Sequence, residues 1–180
     1  RRRQRQMCIR DSLKSIGLPG ILAAIFYTFA NIMFVHAFAN TTVANALFTL
    51  SAIPFITAIL AFYFLNENLS IRTIIIMIIA FAGIVLMISE GLALGEFFGN
   101  IMALGTALFF SCFAITLRKF RKLDMLPTLL IAGLMVSWIT LIMTYNYIKI
   151  PINEMFLCFI WGGVLSGVVN YIFIYATKYL

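Results

Sequence analysis

Long apolar runs dominate the chain, and short polar segments separate them. No Asp, Glu, Lys or Arg occurs between Lys14 and Glu67, a stretch of 52 residues. The later charge-free runs are 73–89, 97–117, 125–148 and 155–177. A helix that crosses a hydrocarbon core of about 30 Å needs roughly 20 apolar residues. Each later run therefore accommodates one spanning helix, and the first run accommodates two.

The polar tetrad Ala39-Asn40-Thr41-Thr42 supplies a turn that divides the first run into two spans. The pattern predicts an all-α fold, a polytopic membrane helix bundle of about six transmembrane helices. The predicted spans are 18–39, 43–65, 71–89, 97–117, 126–147 and 155–177. Nearly the whole chain is then in or beside the bilayer.

Composition supports the membrane interpretation. Hydrophobic residues make up 63% of the chain and charged residues 11%, whereas globular domains have about 45–50% and about 25%. The net charge of +7 reflects basic residues that flank the spans, with six of the thirteen in the first fourteen positions. Lipid headgroups explain this placement better than nucleic acid does. We expect membrane lipids and a small-molecule solute as partners, and no nucleic acid.

The basic residues also predict the orientation of the spans. They concentrate in the N-terminal stretch, at Arg72 and in the segment 118–122, and these segments alternate with loops that carry little positive charge. Basic loops remain in the cytoplasm. Both ends of a six-span chain are then cytoplasmic. We expect a multi-pass protein of the cell membrane, in a bacterium the inner membrane.

The loops and spans offer few residues that could hold a cofactor or carry out catalysis. The three cysteines, Cys8, Cys112 and Cys158, have no paired spacing, so we expect neither disulfides nor a metal site. No phosphate-binding loop is present, which argues against ATP hydrolysis by this chain. The acidic residues of the loops are isolated rather than clustered. The sequence therefore predicts no cofactor, no catalytic residues and no enzymatic activity.

Polar residues inside the predicted spans are the candidates for solute binding. The helical backbone already uses its own hydrogen-bonding groups, so an Asn side chain in a span requires other partners. Asn45 and Thr49 are four residues apart and share a helix face, and Pro54 removes one backbone hydrogen bond nearby, which predicts a kink. We expect Asn31, Asn45, Thr49 and Asn170 to bind the solute, and His36 to be the candidate for proton coupling.

The two ends of the chain are unusual. Residues 1–12, RRRQRQMCIRDS, are either a cytoplasmic basic leader or a non-native segment, because QRQMCIRDS resembles translated sequencing-adapter sequence. Residues 21–37 align with residues 160–176 at a constant offset of 139, which pairs Asn31 with Asn170. Transporters often contain duplicated halves with only faint internal similarity.

A family resemblance extends over roughly residues 17–180 and is most specific over residues 41–91. The succession Asn40-Thr41-Thr42-Val43-Ala44-Asn45, then Pro54, then Asn66-Glu67-Asn68-Leu69 resembles the EamA repeat of the drug/metabolite transporter superfamily. In that repeat, a span with a mid-membrane proline ends in a short loop bearing Glu. Gly99-Asn100-Ile101 and the basic loop 118–122 resemble the start of a second repeat.

The resemblance implies an inverted-repeat transporter of ten helices, of which this fragment contains spans three to eight. Residues 13–91 would form the C-terminal part of the first repeat, and residues 97–180 the N-terminal part of the second. The implied function is transport of a small organic solute by alternating access. The sequence leaves open a non-transporting membrane subunit, a membrane-embedded lipid-processing enzyme, and a homodimer.

Overall fold

A computed structural model describes residues 17–67, 70–93, 97–121, 123–144 and 151–179. Every regular element in these ranges is helical, which confirms the predicted all-α membrane bundle. The elements are α1 (Gly17–Asn40), α2 (Val43–Leu50), α3 (Ile53–Leu65), α4 (Ile71–Ala93), α5 (Phe97–Lys119), α6 (Leu126–Thr144), α7 (Ile152–Cys158), π1 (Phe159–Leu165) and α8 (Ser166–Tyr179). The predicted leader at 1–12 and the last residues of the predicted span 126–147 are outside the described residues.

Short polar side chains define the helix boundaries. Thr42 is the N-cap of α2, and its hydroxyl accepts a hydrogen bond of 3.3 Å from the Asn45 backbone N–H. Asn66 ends α3 in a left-handed conformation, with φ of 54°, which Asn tolerates better than most residues. The carboxylate of Asp124 accepts a bond from the N–H of Leu126 at the start of α6. These caps lie close to the turns that the polar residues predicted.

The second predicted span is interrupted in its middle. Ser51 and Ala52 form a turn between α2 and α3, and Pro54 occupies the first turn of α3. Proline fits there because the first turn of a helix requires no N–H donor. The Ser51 hydroxyl bonds to the Phe48 carbonyl at 2.5 Å. Ser51 and Ala52 both keep right-handed helical dihedral angles, so the span is one helical stretch with a local break in its α-helical hydrogen bonding.

Helix α5 is the centre of the bundle, and α1 packs along it most extensively. The contact between these two helices consists largely of small residues, which allow close approach of the backbones. The fully buried alanines of the two helices are Ala23, Ala24, Ala37, Ala103 and Ala107. Helices α2 and α3 pack on a second side of α5, and α8 touches α5 and α6 more lightly.

The outer surfaces of the bundle are strongly apolar, with large side chains such as Ile79, Leu134 and Trp138 exposed. A water-soluble monomer rarely exposes so much contiguous apolar surface. Within the described residues, five helical stretches are long and apolar enough to cross a membrane, and α4 adds the shorter apolar stretch Ile71–Gly83. The chain is a multi-pass membrane protein.

Candidate functional site

Three polar side chains lie near one another on α1 and α8. The Tyr27 hydroxyl of α1 is close to the side-chain amides of Asn31 on α1 and Asn170 on α8. Each Asn also donates to the carbonyl four residues earlier in its own helix, Asn31 to Tyr27 and Asn170 to Ser166, both at 2.8 Å. One N–H and the carbonyl oxygen of each amide therefore remain for other groups. We call Tyr27, Asn31 and Asn170 the polar cluster.

Aromatic rings surround the polar cluster on the side of α5. The centroid of the Tyr27 ring is 4.9 Å from that of Phe113, which is fully buried. Phe173 of α8 is 5.6 Å from Phe110 and 6.3 Å from Phe113, measured between ring centroids. These spacings are typical of favourable aromatic pairs. The ring pairs between Phe173 and the two phenylalanines of α5 join α8 to α5.

A groove of about 370 Å³ runs beside this aromatic group, between α3, α5 and α8. Pro54 and Thr57 line it on α3, and Phe110 and Phe173 line it on the opposite side. The groove is in the lower part of the size range of small-molecule sites, and it combines aromatic walls with few polar groups, as such sites do. We call it the Pro54 groove.

The polar wall of the Pro54 groove is a shared hydrogen-bond system. The Thr57 hydroxyl is 2.7 Å from the Ile53 carbonyl oxygen and 3.0 Å from the Ser111 hydroxyl of α5. The Ser111 hydroxyl also reaches the Ile53 carbonyl, at 3.1 Å. The residue before Pro54 thus supplies an acceptor for two hydroxyls, which ties α3 to α5.

At one end of the groove, an ion pair joins α5 to the segment after α3. A side-chain nitrogen of Arg118, Nη2, is 2.8 Å from Oε1 of Glu67, and both side chains are partly exposed. Lys119 and Arg121 follow on the same end of the molecule. We call this end, which the sequence predicts to face the cytoplasm, the basic end.

The opposite end of the bundle is closed by a close backbone contact. A Cβ atom on Gly99 would be 2.5 Å from the carbonyl carbon and oxygen of Asn40. Beside it, the Thr41 hydroxyl donates to Oδ1 of Asn100 at 3.1 Å. Asn100 is 2% exposed, and its Nδ2 has no protein partner among the described residues.

The predicted site residues occupy different parts of the structure. Asn31 and Asn170 meet at the polar cluster, and Pro54 lines the groove. Asn45 and Thr49 are on α2, where Asn45 is half-buried and Thr49 is 1% exposed, and neither lines the Pro54 groove. His36 is half-buried on α1, and its carbonyl accepts a bond of 2.7 Å from the Asn40 amide.

The sequence interpretation missed Tyr27 as a member of the site, and it missed Thr57 with its partner Ser111. Tyr27 precedes Asn31 by four residues, so the two share a helix face, and that spacing is a signal that the sequence does contain. The contact between Thr57 and Ser111 has no such signal, since it depends on the packing of two helices. Among the described residues, no group of three His, Cys, Asp or Glu side chains is placed to hold a metal ion.

Comparison with known proteins relates part of the chain to a protein family. No curated protein and no solved structure matches it. The sequence model described as the EamA-like transporter family matches residues 4–89, which covers α1 to α4 as far as Ser89 and confirms the resemblance inferred from Pro54 and Glu67. Over residues 4–89, just under half of its length, the chain is therefore similar to the EamA-like transporter family.

Proposed function

We propose that this chain moves a small organic solute across the cell membrane by alternating access, as part of a drug/metabolite-type transporter. The polar cluster is the binding centre in this proposal. The observation that supports it is the proximity of Asn31 and Asn170 to the Tyr27 hydroxyl, because the two amides come from different halves of the chain. The offset of 139 residues pairs the same two positions in the sequence.

The chemistry of the cluster suits a neutral or polar group of a solute. Each amide retains a donor and an acceptor after its bond to the local backbone, and the phenol offers both. The rings of Phe110 and Phe173 supply apolar contact on the neighbouring surface. A solute bound there would exchange water for fixed donors, acceptors and aromatic faces, which is how small-molecule sites gain affinity and selectivity.

Transport is tested with proteoliposomes that contain the purified chain. They are incubated with a mixture of amino acids, organic acids, sugars and purines, and the trapped solutes are identified by mass spectrometry against empty liposomes. We expect at least one class of solute to accumulate. Equal contents in the two preparations would contradict the transport function and would favour the reading of a non-transporting membrane subunit.

The role of the polar cluster is tested with matched variants on the same helices. Asn31→Leu and Asn170→Leu should each lower the flux of the accumulated solute about tenfold, since each removes a hydrogen-bonding group from the site. The controls are Val35→Leu on α1 and Val169→Leu on α8, because both valines are exposed on the outer surface, at 65% and 63%. Equal flux in the Asn and Val variants would remove the cluster from the transport path.

A further inference from the structure

A second cavity, of about 440 Å³, opens at the basic end. Phe64 and Glu67 line it from the end of α3, and Arg118, Lys119 and Arg121 line it from the end of α5 and the turn that follows. We call it the basic-end cavity. Glu67 and Arg118 line the Pro54 groove as well, so the cavity and the groove adjoin at this ion pair.

The lining of the basic-end cavity has an excess of positive charge. Three cationic side chains face a single carboxylate among its lining residues, and that carboxylate, Glu67, is paired with Arg118. The ammonium group of Lys119 is 5.8 Å from the centroid of the Phe64 ring, and the Arg121 side chain is exposed. A concave wall with more cations than carboxylates attracts an anion, and a guanidinium matches the geometry of carboxylate and phosphate.

The adjoining groove is apolar for most of its length. Beyond the ion pair, the groove is lined by small and aromatic side chains: Ala58, Ala61, Ala114, Phe110 and Phe173. From Ala61 back to Pro54 the helix α3 rises roughly 10 Å. A ligand with a charged group in the basic-end cavity would therefore have a long apolar surface within reach.

We propose that the basic-end cavity and the Pro54 groove together bind an amphiphilic anion. Its carboxylate or phosphate group contacts Arg121 and Lys119, and its apolar body packs between α3, α5 and α8. The tendency of basic residues to remain in the cytoplasm explains cations at this end, but it does not explain a cavity that continues into an apolar groove. The idea that this anion is the transported solute rests on the proposed function. The binding of the anion does not depend on that function.

Binding is tested on the full chain in nanodiscs of phosphatidylcholine, with octanoate as the probe and octanamide as its uncharged counterpart. Thermal unfolding is followed by tryptophan fluorescence, because a ligand that binds the folded state raises the unfolding temperature. We expect octanoate to bind at least about tenfold more tightly than octanamide, the difference that a charged contact supplies. Measurable binding of both probes with equal affinity would overturn the proposal without any variant.

Two arginine variants localise the site. Arg121→Ala should weaken octanoate binding about tenfold, while Arg72→Ala, an exposed arginine at the start of α4 that does not line the cavity, should leave it unchanged. Equal effects of the two substitutions would exclude the basic-end cavity as the binding site of octanoate. Glu67→Gln should strengthen binding, because it removes the carboxylate that competes for Arg118, and weaker binding in this variant would contradict the arrangement.

The anionic group has two sources, a soluble organic acid or the headgroup of a phospholipid. Octanoate binding in pure phosphatidylcholine nanodiscs assigns the site to the soluble acid. Stabilisation by phosphatidylglycerol that requires Arg121, without an effect of octanoate, assigns it to the lipid headgroup. Absence of both effects overturns the site. Octanoate binding without solute flux would contradict the transport function and leave the site standing, so the two failures are distinguishable.

Discussion

Replacement of Gly99 by alanine should weaken the bundle at its most crowded contact. The added Cβ would be 2.5 Å from the carbonyl carbon and oxygen of Asn40 and 2.6 Å from Cβ of Thr41. Carbon atoms attract each other best at about 3.5–4.0 Å, so the overlap is about 1 Å. The obstacle is backbone, which cannot turn aside as a side chain can, and the turn between α1 and α2 must move.

The cost follows from this geometry. Overpacking of a well-packed contact costs about 1–3 kcal/mol, and the backbone obstacle favours the upper half of that range. Movement of the turn also strains the bond from Thr41 to Asn100, worth about 0.6 kcal/mol for an average polar contact between membrane helices. The higher helix propensity of alanine offsets at most about 1 kcal/mol of this destabilisation. We expect Gly99→Ala to lower the free energy of unfolding by about 2 kcal/mol.

Two other glycines provide matched controls. A Cβ on Gly133 would have no other atoms within 4 Å, so Gly133→Ala should leave stability unchanged or raise it by up to about 1 kcal/mol. A Cβ on Gly105 would be 2.6 Å from Sδ of Met33, a flexible side chain that can change rotamer, so Gly105→Ala should fall between the two. Reversible unfolding in mixed micelles with increasing SDS, followed by circular dichroism, measures all three. Equal stability of Gly99→Ala and Gly133→Ala would refute the close contact at Asn40.

Three further expectations concern other parts of the molecule. A double-mutant cycle of Thr57→Val and Ser111→Ala should give a coupling near 0.6 kcal/mol and below about 1.7 kcal/mol, and zero coupling would contradict their hydrogen bond. If His36 carries proton coupling, His36→Gln should abolish the pH dependence of solute uptake, and an unchanged pH profile would exclude it. For the orientation, a cysteine at Val43 should react with an impermeant thiol reagent added outside, and one at Lys119 should not; the reverse pattern would overturn the predicted topology.

The sequence predicts the helices well because each depends on a local property. Charge-free runs of sufficient length gave the spans, and Thr41 and Thr42 gave the first turn. The break in helical hydrogen bonding at Ser51 and Ala52 was expected only as a kink near Pro54, because a proline predicts a lost backbone hydrogen bond but not the residues at which the helix divides. The π-helical segment Phe159–Leu165 was not predicted, and it has no reliable sequence signature.

The sequence suggests only part of the candidate site, for a physical reason. Faint internal similarity pairs Asn31 with Asn170, and both lie near the Tyr27 hydroxyl in the structure. Asn45 and Thr49 met the same sequence criteria, a shared face close to a proline, yet α2 places them away from the Pro54 groove. Helical periodicity states which residues share a face, but the neighbour that covers the face is decided by packing between distant segments.

Polar residues inside spans therefore differ in what they reveal about function. The hydroxyls of Thr28, Thr106 and Thr116 each bond to the carbonyl four residues earlier in the same helix, at 2.8–2.9 Å. Such a bond uses the only proton of a hydroxyl, so these threonines require nothing outside their own helix. An Asn that makes the same local bond retains a second N–H and a carbonyl oxygen, and in an apolar bundle these must find a partner on another element or a ligand. Asn31 and Asn170 keep this remainder close to the Tyr27 hydroxyl, which makes them better candidates for the proposed binding centre than these threonines.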